Sequence, residues 1–302
     1  MLEFFNAPSS VPGIEPRIIV ALAFTAAAAY YDIFNKKWVP NLLLYSFVAA
    51  AILLNIVYFE QGLFMQAAVF GIAAFIISYP LYKAGQLGGA DVFCYASIAM
   101  AIPYLPSPIL NPTAAAPYPF ILSALVPTGL AFIAHMALRF VPYVFSQMKK
   151  GRVRLSMGRL AVPALISAAF MVFAYAVSTL PLSLPAGYFV LLSFLFASLM
   201  FFSLFKTEIK DSMVESVPVS KLQEEDVLAL EKMDSKLVSR LNLQPLISAK
   251  IILALKKAKL KAVPVYTNMP FFLPYLLFGL VFTLLFGDLI SYFVPSAGTY
   301  SA

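Results

Sequence analysis

The sequence predicts an all-α polytopic membrane protein of about eight transmembrane helices, with a small polar segment before the last one. Three observations carry this. The 302 residues are 62% hydrophobic and only 12% charged, more apolar surface than a soluble core of this size could hide. The apolar runs lack the alternation of a membrane barrel, so helices must satisfy the backbone. Lysine and arginine, finally, sort by loop.

A membrane helix needs about 20 apolar residues, and eight stretches come near that: 17–31, 41–59, 63–82, 91–105, 120–143, 160–180, 187–205 and 270–294. With the N-terminus outside, the inner segments hold Lys36 and Lys37, then Lys83, then Arg139 through Arg159, then the stretch 206–269. That places twenty of the twenty-one basic residues inside and leaves only Arg17 outside. Dropping or adding one span would scramble the sorting. The expected organisation is a transmembrane catalytic region over 1–205, a cytoplasmic segment over 206–269, and a last helix with its tail over 270–302. The multi-pass chain is expected in the plasma membrane, with the lipid bilayer as its surroundings.

Between the spans, the outer loop 106–119 carries five prolines and is expected to be stiff and non-helical. The inner loop 145–157 is short and basic, as a positive-inside anchor would be. The segment 206–269 is the one stretch of soluble composition, with eight of the fourteen acidic residues. Ser220 with Gln223 reads as a capping box opening a helix to about Met233. Pro245 opens a second helix through Leu255, its lysine-rich end facing solvent or lipid. Val263 to Tyr266 reads as a strand.

Other functions are excluded on composition. The net charge of +7 forms no basic patch interleaved with aromatics, so no nucleic acid partner is expected. Cys94 is the single cysteine and His135 the single histidine, which leaves no disulfide, no CxxC motif and no metal cluster. Neither metal nor organic cofactor is expected. Glu3 and Glu15 replace the basic start of a cleavable signal, so the first span is expected to stay.

The candidate chemistry lies where spans meet the basic side. Gly85, Gly88 and Gly89 lead to Asp91 just before an apolar run, and Asp32 closes the first run. An ionisable residue touching a span is costly and marks a working site with a partner nearby. Asp91 alone could be a helix cap, but Asp32 lies at a helix C-terminus, where the dipole disfavours an anion. Two carboxylates brought together can share one proton, so that one takes a proton from water while the other polarises a carbonyl. That is the equipment of an aspartic protease. Gly88 and Gly89 would leave room for an extended peptide, and Lys36 and Lys37 would shape the inner face. A proton- or cation-coupled transporter using the same aspartates is the alternative; it would place them near mid-membrane on broken helices, and the halves show no repeat.

Two motifs resemble a known family. Asp32, with Lys36, Lys37 and then Pro40-Asn41, resembles the first aspartate motif of type IV prepilin peptidases, and Gly88-Gly89-Ala90-Asp91 resembles the GxGD signature of membrane aspartic proteases. Lacking a cysteine-rich insert, the chain is more similar to archaeal preflagellin peptidases. Met269 to Pro274, and Gly287-Asp288, also look like the last span of that group. The resemblance spans about 18–145 and 263–294. It implies that Asp32 and Asp91 are the catalytic pair and that the substrate is a precursor archaellin or pilin-like protein, cut after a short basic leader. Ala90 departs from the signature's glycine, and Phe93 stands where many members have lysine, a cation that Lys83 or Lys36 could supply. The pair of spans within 160–205 is additional. Tyr31-Asp32 and Pro163-Ala164-Leu165 also echo presenilin-type signal peptide peptidases, but Asp32 is followed by a basic loop rather than more membrane.

Overall fold

The computed structural model describes residues 11–35, 38–111, 118–153, 157–179, 186–267 and 269–289. Its helices are α1 (Ile14–Phe34), α2 (Asn41–Val57), α3 (Gln61–Lys83), α4 (Gly89–Ala101), α5 (Phe120–Lys149), α6 (Met157–Thr179), α7 (Ala186–Leu204), α8 (Lys206–Met213), α9 (Ser235–Leu241), α10 (Ala249–Lys257) and α11 (Leu273–Phe286). Five of them, α1, α3, α5, α6 and α7, are long and apolar enough to cross a membrane. The apolar helices α2, α4 and α11 are shorter, at 17, 13 and 14 residues. The sequence-predicted run 91–105 shortens because Pro103 disfavours helix at the residue before it. Gly287, at φ 88°, stops α11. Toward the polar ends the helices outrun the apolar stretches, so Asp32 and Asp91 lie inside the terminal turns of α1 and α4. Likewise α5 continues to Lys149, shortening the basic loop expected from 145.

The chain divides into two units, one built from Met1–Gly129 with Met213–Asp288 and the other from Leu130–Ser212 with Leu289–Ala302. In the first, α1 packs against α2, α4 and α11, and α3 packs against α4. Small side chains at helical spacing allow the backbones close together: Ala21, Thr25, Ala28 and Ala29 on α1, and Ala67, Gly71 and Ala74 on α3, are buried. Aromatic rings fill the remainder, with Phe24 stacked on Phe47 at 5.0 Å and Phe70 edge-on to Tyr104 at 5.5 Å. Gly279 of α11 lies against the Ala124 carbonyl and Thr128 of α5 so closely that a Cβ would overlap both.

Arg17 is fully buried near the start of α1. Its guanidinium donates to Asn55 Oδ1 and the Ala101 carbonyl, both at 3.0 Å, and more loosely to the Leu54 carbonyl at 3.4 Å. Nε reaches the Pro12 carbonyl at 3.0 Å. The cation thus satisfies carbonyls at the C-terminal ends of α2 and α4, where the helix dipole favours positive charge. This bond to Ala101 fixes the α1–α4 pair as antiparallel, and so directs the end of α1 and the start of α4 the same way.

In the second unit, α6 and α7 pair through Phe170 stacked on Phe196 at 4.2 Å and Ser167 Oγ near Met200 Sδ at 3.5 Å. Arg159 and Glu208 form an ion pair at 2.6 Å. Leu165, Met171, Val172 and Val190 stay exposed, as lipid-facing side chains would.

Within the first unit, the polar segment forms a small lobe. Strand β1 (Val214–Pro218) pairs antiparallel with β2 (Ala262–Tyr266), which confirms the strand expected from Val263. Val219, Leu228, Leu243, Ile247, Ile251, Leu255, Val263 and Val265 make its core. The helix expected from Ser220 to Met233 does not form. That stretch holds single turns of 3-10 helix at Val219–Lys221 and Leu230–Lys232, while Val227 bridges to Leu246 and Leu228 to Val265. Burying Val227 and Leu228 between two neighbouring segments outweighs a local capping signal. The second expected helix begins at Ala249 rather than Pro245, because Leu246 is held in the same bridge.

Candidate active site

Asp32 lies in the last turn of α1 and is 7% exposed. Its position at a helix C-terminus, unfavourable for an anion, is answered from another element: Oδ2 accepts the Leu273 backbone N–H at 3.3 Å. Leu273 opens α11, with Pro274 behind it, and the free N–H groups of a helix start favour negative charge.

Asp91 is the third residue of α4 and is 8% exposed. Its Oδ2 accepts the Gly88 N–H at 2.8 Å, so the carboxylate closes the helix start. The capping role and a chemical one therefore coincide in one residue. Both aspartates end up at the N-terminus of a helix, one its own and one borrowed.

The same end of the bundle also holds Cys94, fully buried three residues after Asp91 and on the same helical face. The antiparallel packing of α1 on α4 brings the end of α1 that carries Asp32 and the start of α4 that carries Asp91 to the same end of the bundle. The Leu273 N–H and Cys94 lie at this end too; the sequence named Cys94 only as the single cysteine and Leu273 only within the Met269–Pro274 motif, and assigned neither to the site. Pro274 marks a helix start, but no local signal names Asp32 as what that start would meet.

The glycines have distinct roles in the fold. Gly88 is extended and presents its N–H to Asp91. Gly89 faces the lobe: a Cβ there would lie 3.2 Å from Glu225 Oε1 and 3.5 Å from the Tyr82 ring. Gly85 takes φ +71°, and a Cβ on it would meet Val227 Cγ1 at 2.9 Å. The space beside this turn is therefore bounded by side chains of the lobe. Lys36 and Lys37 lie outside the described residues.

Phe93, in place of a lysine, packs edge-on to Tyr45 at 5.7 Å and Phe75 at 6.3 Å. Lys83 lies over the rings of Tyr79 and Tyr82, at 5.4 and 5.6 Å, and this cation–π contact occupies the charge. Asp288 is buried beyond the end of α11, and His135 is exposed on α5.

An apolar helical bundle with five helices long enough to cross a membrane and a buried aspartate in the terminal turn of each of two helices defines the class: a helical membrane protein. Residues 19–141 match the model of the Type IV leader peptidase family, a stretch that contains both aspartates. The prepilin peptidase resemblance carried by the two motifs stands on that match, which supports a leader peptidase-like protease of the aspartic type acting on a protein substrate. No curated protein and no solved structure matches the chain.

Proposed function

We propose that the chain is a membrane aspartic endopeptidase that removes a short basic leader from precursor archaellins or type IV pilin-like proteins, with Asp32 and Asp91 as its catalytic pair. What carries the reading is that two aspartates 59 positions apart, both inside the family-matched stretch, lie at the same end of one bundle, each in a terminal helical turn and each accepting a backbone N–H at a helix start. Their mutual repulsion opposes double ionisation, so the pair holds one proton. The ionised member takes a proton from water as that water attacks the peptide carbonyl. The protonated member donates to the carbonyl oxygen, giving a tetrahedral diol; the proton taken from water then passes to the amine nitrogen as the C–N bond breaks, and a diol hydroxyl returns its proton to the carboxylate that gave one up.

On the positive-inside reading of the sequence, which puts twenty of the basic residues inside, the site faces the cytoplasm. A precursor threads its leader past Gly88 and Gly89, while its apolar helix stays in the bilayer. Lys36 and Lys37, four and five positions after Asp32 in the sequence, are the basic residues proposed to shape that face.

The test uses the full chain in membrane vesicles with a pilin-like precursor. Asp32→Asn and Asp91→Asn keep an oxygen to accept the Leu273 and Gly88 N–H groups, so each variant stays folded, and each loses cleavage. Retained processing by either variant overturns the reading.

A further inference from the structure

The lobe borders, from two sides, the segments whose N–H groups hold the aspartates. Toward Asp91, Tyr82 Oη donates to Glu225 Oε1 at 3.2 Å, across 143 positions of sequence. The Glu225 carboxylate lies against Gly89, and Val227 fills the notch above Gly85. These residues border the turn that ends at Gly88, whose N–H holds Asp91. Glu225 makes this contact from φ 72°, a left-handed conformation that a non-glycine side chain disfavours. Such strain persists only where the surrounding structure holds it, here partly through the Glu225 N–H to the Ile247 carbonyl at 2.9 Å.

Toward Asp32, the same short segment is stitched into the strand that leads to α11. Tyr266 N–H donates to the Val227 carbonyl at 2.9 Å, Ala229 N–H to the Pro264 carbonyl at 3.0 Å, and Leu228 bridges Val265. From Tyr266, the end of β2, seven residues lead to Leu273, whose N–H holds Asp32. One piece of backbone, Glu225 to Ala229, is thus hydrogen-bonded to the strand before the Asp32 holder and packed on the turn before the Asp91 holder.

We propose that the lobe is a positioning element for the aspartate pair, with Glu225 and Val227 as the positioning residues that act through Tyr82 and Gly85. This rests on the peptidase reading for its kinetic readout but not for its structural one. The lobe sets the register between the Gly88 and Leu273 N–H groups and so the placement of the two carboxylates. A misplacement of about 1 Å at reacting groups can cost about a hundredfold in rate, so a loosened clamp is read in kcat rather than in KM.

The experiment uses the full-length protein in proteoliposomes. Glu225→Gly suits φ 72° and removes the carboxylate without straining the turn; Tyr82→Phe removes the same bond from the other side; Val227→Ala empties the notch and Val227→Ile refills it. Expected are a roughly tenfold or greater fall in kcat for Glu225→Gly, Tyr82→Phe and Val227→Ala with KM within about twofold, no further fall in the Tyr82→Phe/Glu225→Gly pair, and near wild-type kcat for Val227→Ile. Amide hydrogen exchange is read alongside and rises in Val227→Ala at both 85–92 and 273–276. With an active wild type, an unchanged kcat or a change confined to KM overturns the proposal. Should the wild type cleave no precursor, the peptidase reading fails and exchange decides alone: a rise at both segments supports the lobe as positioning element, and a rise at neither or only one overturns it.

Discussion

Replacing Arg17 with methionine tests how the bundle is held at the end away from the aspartates. The guanidinium is fully buried and donates to Asn55 Oδ1 and to the carbonyls of Ala101, Leu54 and Pro12. Methionine keeps much of the stem's volume but leaves Asn55 Oδ1 and the Ala101 oxygen stranded. Each stranded buried acceptor costs about 1–3 kcal/mol, or about 2–6 kcal/mol for two. Removing a buried charge returns part of that, so the expected net loss is about 2–3 kcal/mol. Unfolding in mixed micelles, followed by Trp38, the single tryptophan, measures it. Because replacing both partners of a bond costs less than replacing one, the Arg17→Met/Asn55→Leu pair should lose about 1–2 kcal/mol less than the two single losses added together. Cleavage per folded molecule should be unchanged, since Arg17 lies at the far end of α1 from Asp32. A single-variant loss under about 0.5 kcal/mol, or strict additivity in the pair, would refute the account.

Three further outcomes follow from the structure. Asp91→Ala loses the acceptor for the Gly88 N–H that Asp91→Asn keeps, so thermal unfolding should show the alanine variant about 1 kcal/mol less stable than the asparagine one, with both inactive; equal stabilities would remove the capping role. Gly279→Ala drives a Cβ into Thr128 and the Ala124 carbonyl, and should cost at least about 1–3 kcal/mol; adding Thr128→Ala should not rescue it, because the carbonyl remains, and full rescue would show that the hydroxyl alone was the obstacle. Burial raises the Asp226 carboxyl above its ordinary range, opposed in part by the Gln223 N–H. The folded state therefore binds this proton more tightly than the unfolded state does, and stability falls as pH rises from the unfolded value, about 3.9, through the raised folded one. Asp226→Asn should accordingly raise the melting temperature at pH 7, with the gain vanishing below about pH 4; a gain that persists at low pH would point to another cause.

Sequence and structure part company in instructive places. The apolar helices were legible because burial in lipid demands long uncharged runs whatever their neighbours, and α1 to α7 and α11 all lie on the stretches so identified. Among the described residues only five reach span length; α4 and α11 fall short because Pro103 and Gly287 act on backbone geometry that hydropathy does not register. Arg17 read as one basic residue on the outer side, yet it is the best-connected buried cation among the described residues. Its partners lie 37, 38 and 84 positions away as well as close by, so no local pattern could announce them. In the lobe, the Ser220 and Gln223 pattern pointed to a helix that strand bridging replaced.

What the amino-acid order determined alone was the helices' locations, the charge asymmetry between loops, and two aspartates at the polar ends of apolar runs. Each of these is a property of neighbours along the chain, where hydrophobic transfer and charge cost act residue by residue. Only the tertiary structure decided that Asp32 is held by the first N–H of α11, that Asp32 and Asp91 share one end of the bundle, and that Glu225 lies against Gly89. These are contacts between segments far apart in sequence, selected by how the whole set of helices and the lobe pack together.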